Sequence, residues 1–311
     1  MDQNYQINDE SIFFTPVKKN AAYYRKEARA RLLGKWKTGY LVSFLAIILG
    51  AAGSLLSFDL DKEDLERITS FDPQQLLPLL SALLIFGSLA LITTLAIELF
   101  VSGPCEIGYH RFHLAIVDQN DSEVAVATLF GFFKKPHFFK AVLLRILRAL
   151  VRLVTLLPLF AAYVLAAINV VSAYLLSPTL GNLILPILYS AAMILSGTLA
   201  SLAIALPLSY AYTAAPFIMA DYPGVGAVEA MRNSRHLMRG HKWKLFCLDF
   251  SFIGWMLLGT LLFGIGIVFV LPYFHTARAL YYNDISRREA AKETEFPSLD
   301  PDDYMPNDST I

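Results

Sequence analysis

SRHLMRGHKWKLFCLDFSFIGW, residues 234–255, changes character halfway. Arg235, His236, Arg239, His241, Lys242 and Lys244 crowd its first half, and an almost uncharged run of membrane length follows. The same signal stands at 34–37, where GKWK precedes the first apolar run. Cations held against the edge of an apolar helix mark its cytoplasmic foot, where anionic headgroups attract each Lys or Arg by about 1 kcal/mol. Trp36 and Trp243, each inside a Lys-Trp-Lys, suit the interfacial belt.

Composition agrees with that reading. Of 311 residues 56% are hydrophobic and 17% charged, against roughly 25% charged in soluble domains. A globule of this size in water would lack polar surface. The formal net charge is zero, so only the distribution of charge is informative. Cys105 and Cys247 form neither a disulfide framework nor a metal-ligand spacing. The start, MDQNYQINDE, is polar and acidic, and no cleaved signal peptide is expected.

Crossing a hydrocarbon core of about 30 Å takes about 20 apolar residues. Candidate runs are Gly39–Leu56, Leu76–Val101, Leu153–Leu176, Leu183–Ala220, Leu245–Phe263 and Ile265–Tyr282, the last two separated by a turn at Gly264-Ile265-Gly266. Leu183–Ala220 reads either as one helix kinked at Pro186, Pro207 or Pro216, or as a pair. Counted as one span, it leaves all but Lys62 and Arg67 of the 26 Lys and Arg on the cytoplasmic side. Splitting it would send the Arg232–Lys244 cluster outside, against the positive-inside bias. The expected fold is therefore an all-α, polytopic transmembrane bundle of about six spans in three hairpins, with short cytoplasmic interfacial helices. Its parts are a cytoplasmic N-terminal segment with an interfacial helix (1–37), a six-span membrane domain (38–285) and a disordered acidic tail (286–311).

The stretch YTAAPFIMADYPGVGAVEAMRNSRHLMRGHKWKLF, followed by SFIGW, GIG and PYFHTARALYY, resembles bacterial integral membrane proteins of the domain of unknown function 975 family. The matching positions are Ala215-Pro216-Phe217, Ala220-Asp221, Pro223, Glu229-Ala230, Ser234, Met238, Gly240, Lys242-Trp243-Lys244 and Pro272-Tyr273. Upstream, Glu106, Gly108, Arg111-Phe112, Leu114 and LFGFFKK at 129–135 are similar too. The resemblance implies a multi-pass protein of the bacterial cytoplasmic membrane and brings no catalytic residues. Independently, EARARLLGKWK before span one, NSRHLMRGHKWK before span five and, more faintly, VATLFGFFKKPHFFK before span three suggest three repeated units. Each would be a short amphipathic helix on the inner leaflet leading into a hairpin. Alternatively, any inward foot of a span collects Lys, Trp and Gly.

Several side chains could carry chemistry. Arg145, Arg148 and Arg152 share one helical face, and a guanidinium fork suits lipid phosphate; a snorkelling basic stripe is the plainer account. Arg235, Lys242, Trp243 and Lys244 are the other candidate lipid contacts. Glu106, His110 and His113 also share a face and form a weak metal candidate, though a juxtamembrane helix shows a polar stripe anyway. A turn at Gly264 puts Asp249 and Arg278 at equal depth in an antiparallel pair, a candidate structural ion pair. No catalytic motif, nucleic-acid feature or cofactor-binding sequence is present. The expected role is a non-enzymatic one, organising lipid or a partner membrane protein, with anionic headgroups as partners. A transporter or transporter subunit is the alternative, and a membrane-embedded metal enzyme a weaker one.

Overall fold

The computed structural model describes residues 19–51, 73–176, 180–261 and 264–295. The acidic loop around residues 59–72 and the tail beyond 295 lie outside them. Among the described residues every regular element is helical. Four helices are long and apolar enough to cross a membrane, or up to five if the bent pair at the N-terminus counts as one.

Helix α1 (Ala21–Arg31) starts at Asn20, whose side chain accepts from Tyr23 N, and ends with Arg29 and Arg31 in its last turn. Gly34 then takes φ +79°, and the chain bends by 106° into α2 (Trp36–Ala51). Only glycine adopts that backbone without cost. Tyr24, Ala28 and Leu32, one turn apart, are buried. They dock α1 on the last helix, α11 (Gly266–Glu295). Arg29 Nε donates to Tyr273 Oη at 3.2 Å, and Arg31 Nη1 to the carbonyl of Val117 at 2.7 Å. Both arginines thus tie α1 to neighbouring helices.

Helix α3 (Pro73–Ile97) continues through a π turn at Glu98–Ser102 into α4 (Gly103–Asp118). Pro104 in the first turn of α4 cannot donate to the preceding turn, and a widened turn accommodates that loss. After α4 comes a 3₁₀ run, Val126–Phe133, in place of the amphipathic α-helix expected before span three. It lies against α4 so closely that a Cβ on Gly108 would sit 2.2 Å from the carbonyl oxygen of Leu129.

Helix α5 (His137–Leu176) pairs with α6 (Leu180–Ala211) in the most extensive helix contact among the described residues. The seam is built from small residues, as in membrane helix pairs. A Cβ on Gly197 would fall 2.3 Å from Ala162 Cβ, and Ser190 Oγ donates to the carbonyl of Ala166 at 3.2 Å. Pro158 frees backbone groups inside α5; Leu159 N donates to Ser201 Oγ at 3.0 Å. The outer faces are apolar and bare, with Phe160 and Leu199 67% and 59% exposed. Soluble proteins do not leave such continuous apolar surface open.

Residues 183–220 resolve into α6, which keeps Pro186 and Pro207 inside it, and a short α7 (Ala215–Asp221) after a turn at 212–214. Pro216 opens α7, where a missing N–H costs nothing. Helix α8 (Ala227–Leu237) buries Ala227, Ala230, Met231 and Ser234 and packs on α7. Gly240, at φ +74°, leads into α9 (Lys242–Phe250). A break at Ser251 and Phe252 and α10 (Ile253–Leu261) complete that apolar stretch. Gly264 turns at φ +77°, and Gly259 meets Gly266 backbone to backbone across α10 and α11. Helix α11 runs to Glu295, so residues 286–295, placed in the disordered tail on composition, are helical. Lys and Glu in that stretch are good helix formers, and α11 extends through them without a break.

Candidate functional site

A belt of arginines and carboxylates crosses the bundle where the apolar part of α5 begins. Arg145, Arg148 and Arg152 project from one face of α5, but they have different partners. Arg145 binds Glu98, at the π turn, and Glu106 Oε2 at 2.8 Å; Arg148 takes the other oxygen of Glu106. No carboxylate and no hydrogen bond answers the Arg152 guanidinium among the described residues. On the neighbouring side Arg278 of α11 grips Asp249 of α9, with Nε to Oδ1 at 2.8 Å and Nη2 to Oδ2. Tyr210 Oη donates to the same Oδ2 at 2.9 Å. Such bidentate, charge-assisted contacts are the strong ones in a dry environment. Tyr210 and Glu98 complete these two clusters, and neither stood out as a partner in the sequence.

Two cavities border the belt. One, about 340 Å³, lies between α2, the α3–α4 helix, α5 and α11, and is lined by Ser43, Glu98, Glu106, His110, Arg145 and His275, among others. His110 and His113 are both buried, and His113 Nδ1 pairs with Thr276 Oγ1 at 2.9 Å. Among the described residues, Nδ1 of His110, Nε2 of His113 and Nδ1 of His275 have no hydrogen-bond partner. His110 Nε2 is 4.0 Å from Glu106 Oε1. The face shared by Glu106, His110 and His113 is therefore split: Glu106 is occupied by arginines, and the two imidazoles turn into the core beside His275. Among the described residues no three His, Cys, Asp or Glu side chains are arranged to hold a metal ion. The second cavity, about 390 Å³, lies between α5, α6 and α11 and is lined by Arg148, Arg152, Arg278, Ser209 and Tyr210, among others.

The remaining cationic candidates lie on the outside. Arg235 is exposed on α8 and Lys242 half-buried at the start of α9. Trp243, 72% exposed, and Lys244 line a recess of about 820 Å³ with Lys19, Tyr24, Asp284 and Arg288. Asp284 receives Lys19, Arg288 and, at 2.8 Å, Tyr24 Oη. Burial pushes the Asp284 carboxyl up, but the hydrogen bonds from Lys19 and Tyr24 and the charges of Lys19 and Arg288 outweigh it and hold its pKa below the usual value. Burial, then the hydrogen bond to Asp284, raises that of Tyr24.

No curated protein and no solved structure matches this chain. The model of one family, described as a protein of unknown function (DUF975), matches residues 19–289. That match takes in every helix carrying the belt and both cavities, and the chain belongs to the DUF975 family.

Proposed function

We propose that this chain is a six-span protein of the bacterial cytoplasmic membrane, with both termini in the cytoplasm, that organises lipid or a partner membrane protein without catalysing a reaction. The observation that carries the reading is the separation of bare apolar surface from charge. The α5–α6 hairpin exposes Leu153, Phe160, Leu175, Leu185 and Leu199, whereas the charged side chains of α5 all lie in its first half. Six spans follow if α2, α3, α5, α6, the α9–α10 pair and the apolar part of α11 each cross once. That assignment keeps all but Lys62 and Arg67 of the cations on one side. Affinity purification in mild detergent, with mass spectrometry of retained lipid and protein, tests the role. Enrichment of anionic phospholipid or of one membrane protein over its bulk share is expected. Lipid in bulk proportion and no enriched protein would refute it.

Transport is the second reading, favoured by the polar cavity of about 340 Å³ among four helices. Ala46 and Cys105 both line it, so A46C in a C105S/C247S background reports its access. Reaction with a small impermeant thiol reagent added to either side would favour transport; reaction from one side or neither would dismiss a through path.

A further inference from the structure

We propose that the groove between α5, α6 and α11 binds the phosphate of one anionic phospholipid, with Arg152 as its principal cation. The proposal rests on the membrane reading above and gives that reading a site and a ligand class. Its basis is charge balance. Arg145, Arg148 and Arg278 are answered by Glu98, Glu106 and Asp249. Arg152 is not, so four guanidinium groups face three carboxylates and one positive charge is left over in the groove. Arg148 and Arg278 flank Arg152 there, and the groove holds about 390 Å³. Arg152 is exposed immediately before span three, at the level where anionic headgroups attract a cation by about 1 kcal/mol. A monoanion restores neutrality, and phosphate oxygens match the planar fork of a guanidinium.

The groove's walls select a lipid over free phosphate. Leu206, which lines it, is 45% exposed. Leu153, next to Arg152, and Leu202, one turn from Leu206, are 59% and 48% exposed. The groove thus runs directly onto the bare apolar face of the α5–α6 hairpin. A phosphate seated at Arg152 places acyl chains along that face, where a free anion has nothing to contact. The Arg145–Glu98–Glu106–Arg148 network holds α5 in place and keeps the neighbouring cations from competing for the ligand.

Native mass spectrometry of the full chain in mild detergent, titrated with phosphatidylglycerol, phosphatidylcholine or inorganic phosphate, tests this. One phosphatidylglycerol is expected to bind more tightly than phosphatidylcholine, and millimolar phosphate to leave it in place. R152Q should weaken phosphatidylglycerol about fivefold, the equivalent of one surface cation, and R152K should restore most of that loss. S209D, which supplies the missing negative charge from an exposed position lining the groove, should also weaken phosphatidylglycerol, and serves if R152Q does not fold. Wild-type affinity in both R152Q and S209D would refute the site while leaving lipid organisation intact. Displacement by phosphate would assign the groove to a free anion and refute the lipid. Equal binding of the two lipids by the wild type would remove the site, and with it the lipid arm of the proposed function.

Discussion

Asp249 shows what one carboxylate does between helices. It accepts from Arg278 and from Tyr210, joining α9, α11 and α6 at a single point. Both members of the ion pair are largely buried, with side chains 12% and 22% exposed. Breaking such a pair leaves an uncompensated charge and costs about 3–5 kcal/mol, whereas replacing both charges costs much less. D249N and R278Q should therefore each lower the folded fraction in membranes, and the double variant should be less damaging than their sum. Strict additivity in fluorescence-detected size-exclusion profiles would show that the pair is uncoupled. The depth match of Asp249 and Arg278 was legible, because a turn at Gly264 and a constant rise per residue set the register. Tyr210 was not, since only the tertiary fold brings α6 to that point. Gly108 is a similar case: nothing in its own neighbourhood announces that a Cβ would strike the Leu129 carbonyl. G108A should lower thermal stability sharply, while G131A, with open space around it, should leave it within about 0.5 kcal/mol.

At the scale of elements, α1 with its glycine turn and α8 with its own are the same device. Leu32 N donates to Ala28 O at 3.1 Å and Met238 N to Ser234 O at 3.0 Å; Lys35 N to Leu32 O at 2.9 Å and His241 N to Met238 O at 3.2 Å; Gly39 N to Lys35 O at 3.0 Å and Leu245 N to His241 O at 3.1 Å. Each donor in the second turn stands at the same remove from Gly240 as its counterpart does from Gly34. G34A and G240A should each cost about 1–2 kcal/mol from the left-handed backbone, measurable as a drop in melting temperature. The motifs were legible because a glycine and Lys-Trp-Lys just before an apolar run are local signals. The VATLFGFFKKPHFFK element was misread as an α-helix for a physical reason. Its conformation follows from close seating on Gly108, a contact between distant parts of the chain. The docking of α1 should also depend on pH. The Asp284 carboxyl titrates lower in the folded chain than when unfolded. Its contribution is therefore present above the unfolded pKa, about 3.9, and is lost as pH falls through the lower folded value. Hydrogen exchange in α1 should accelerate as pH drops through that window, after correction for intrinsic rates, and D284N should abolish the step.

Over the whole molecule three short segments each dock on another helix, and the first docks on the last. Helix α1 packs on α11, the 3₁₀ run on α4, and α8 on α7. The second and third segments hold the helix that precedes them in the chain, and the first holds the last helix. In the proposed six-span arrangement these segments share the cytoplasmic end with the cations, which makes orientation a property of the whole chain. If the bundle inserts once, with that end inward, inverting any hairpin would break such a seam and carry a basic cluster across the bilayer. The two native cysteines give a direct check. Cys105 is buried and Cys247 exposed beside Lys244, so Cys247 alone should react when a reagent reaches the cation-bearing end. In intact cells an impermeant maleimide should leave the wild type unlabelled and label D64C, in the acidic loop around residues 59–72. After lysis Cys247 should label as well. Labelling of Cys247 in intact cells, or protection of D64C there, would place the cations outside and overturn the topology. Because Cys105 stays shielded in either orientation, the comparison needs only C247S as its background control.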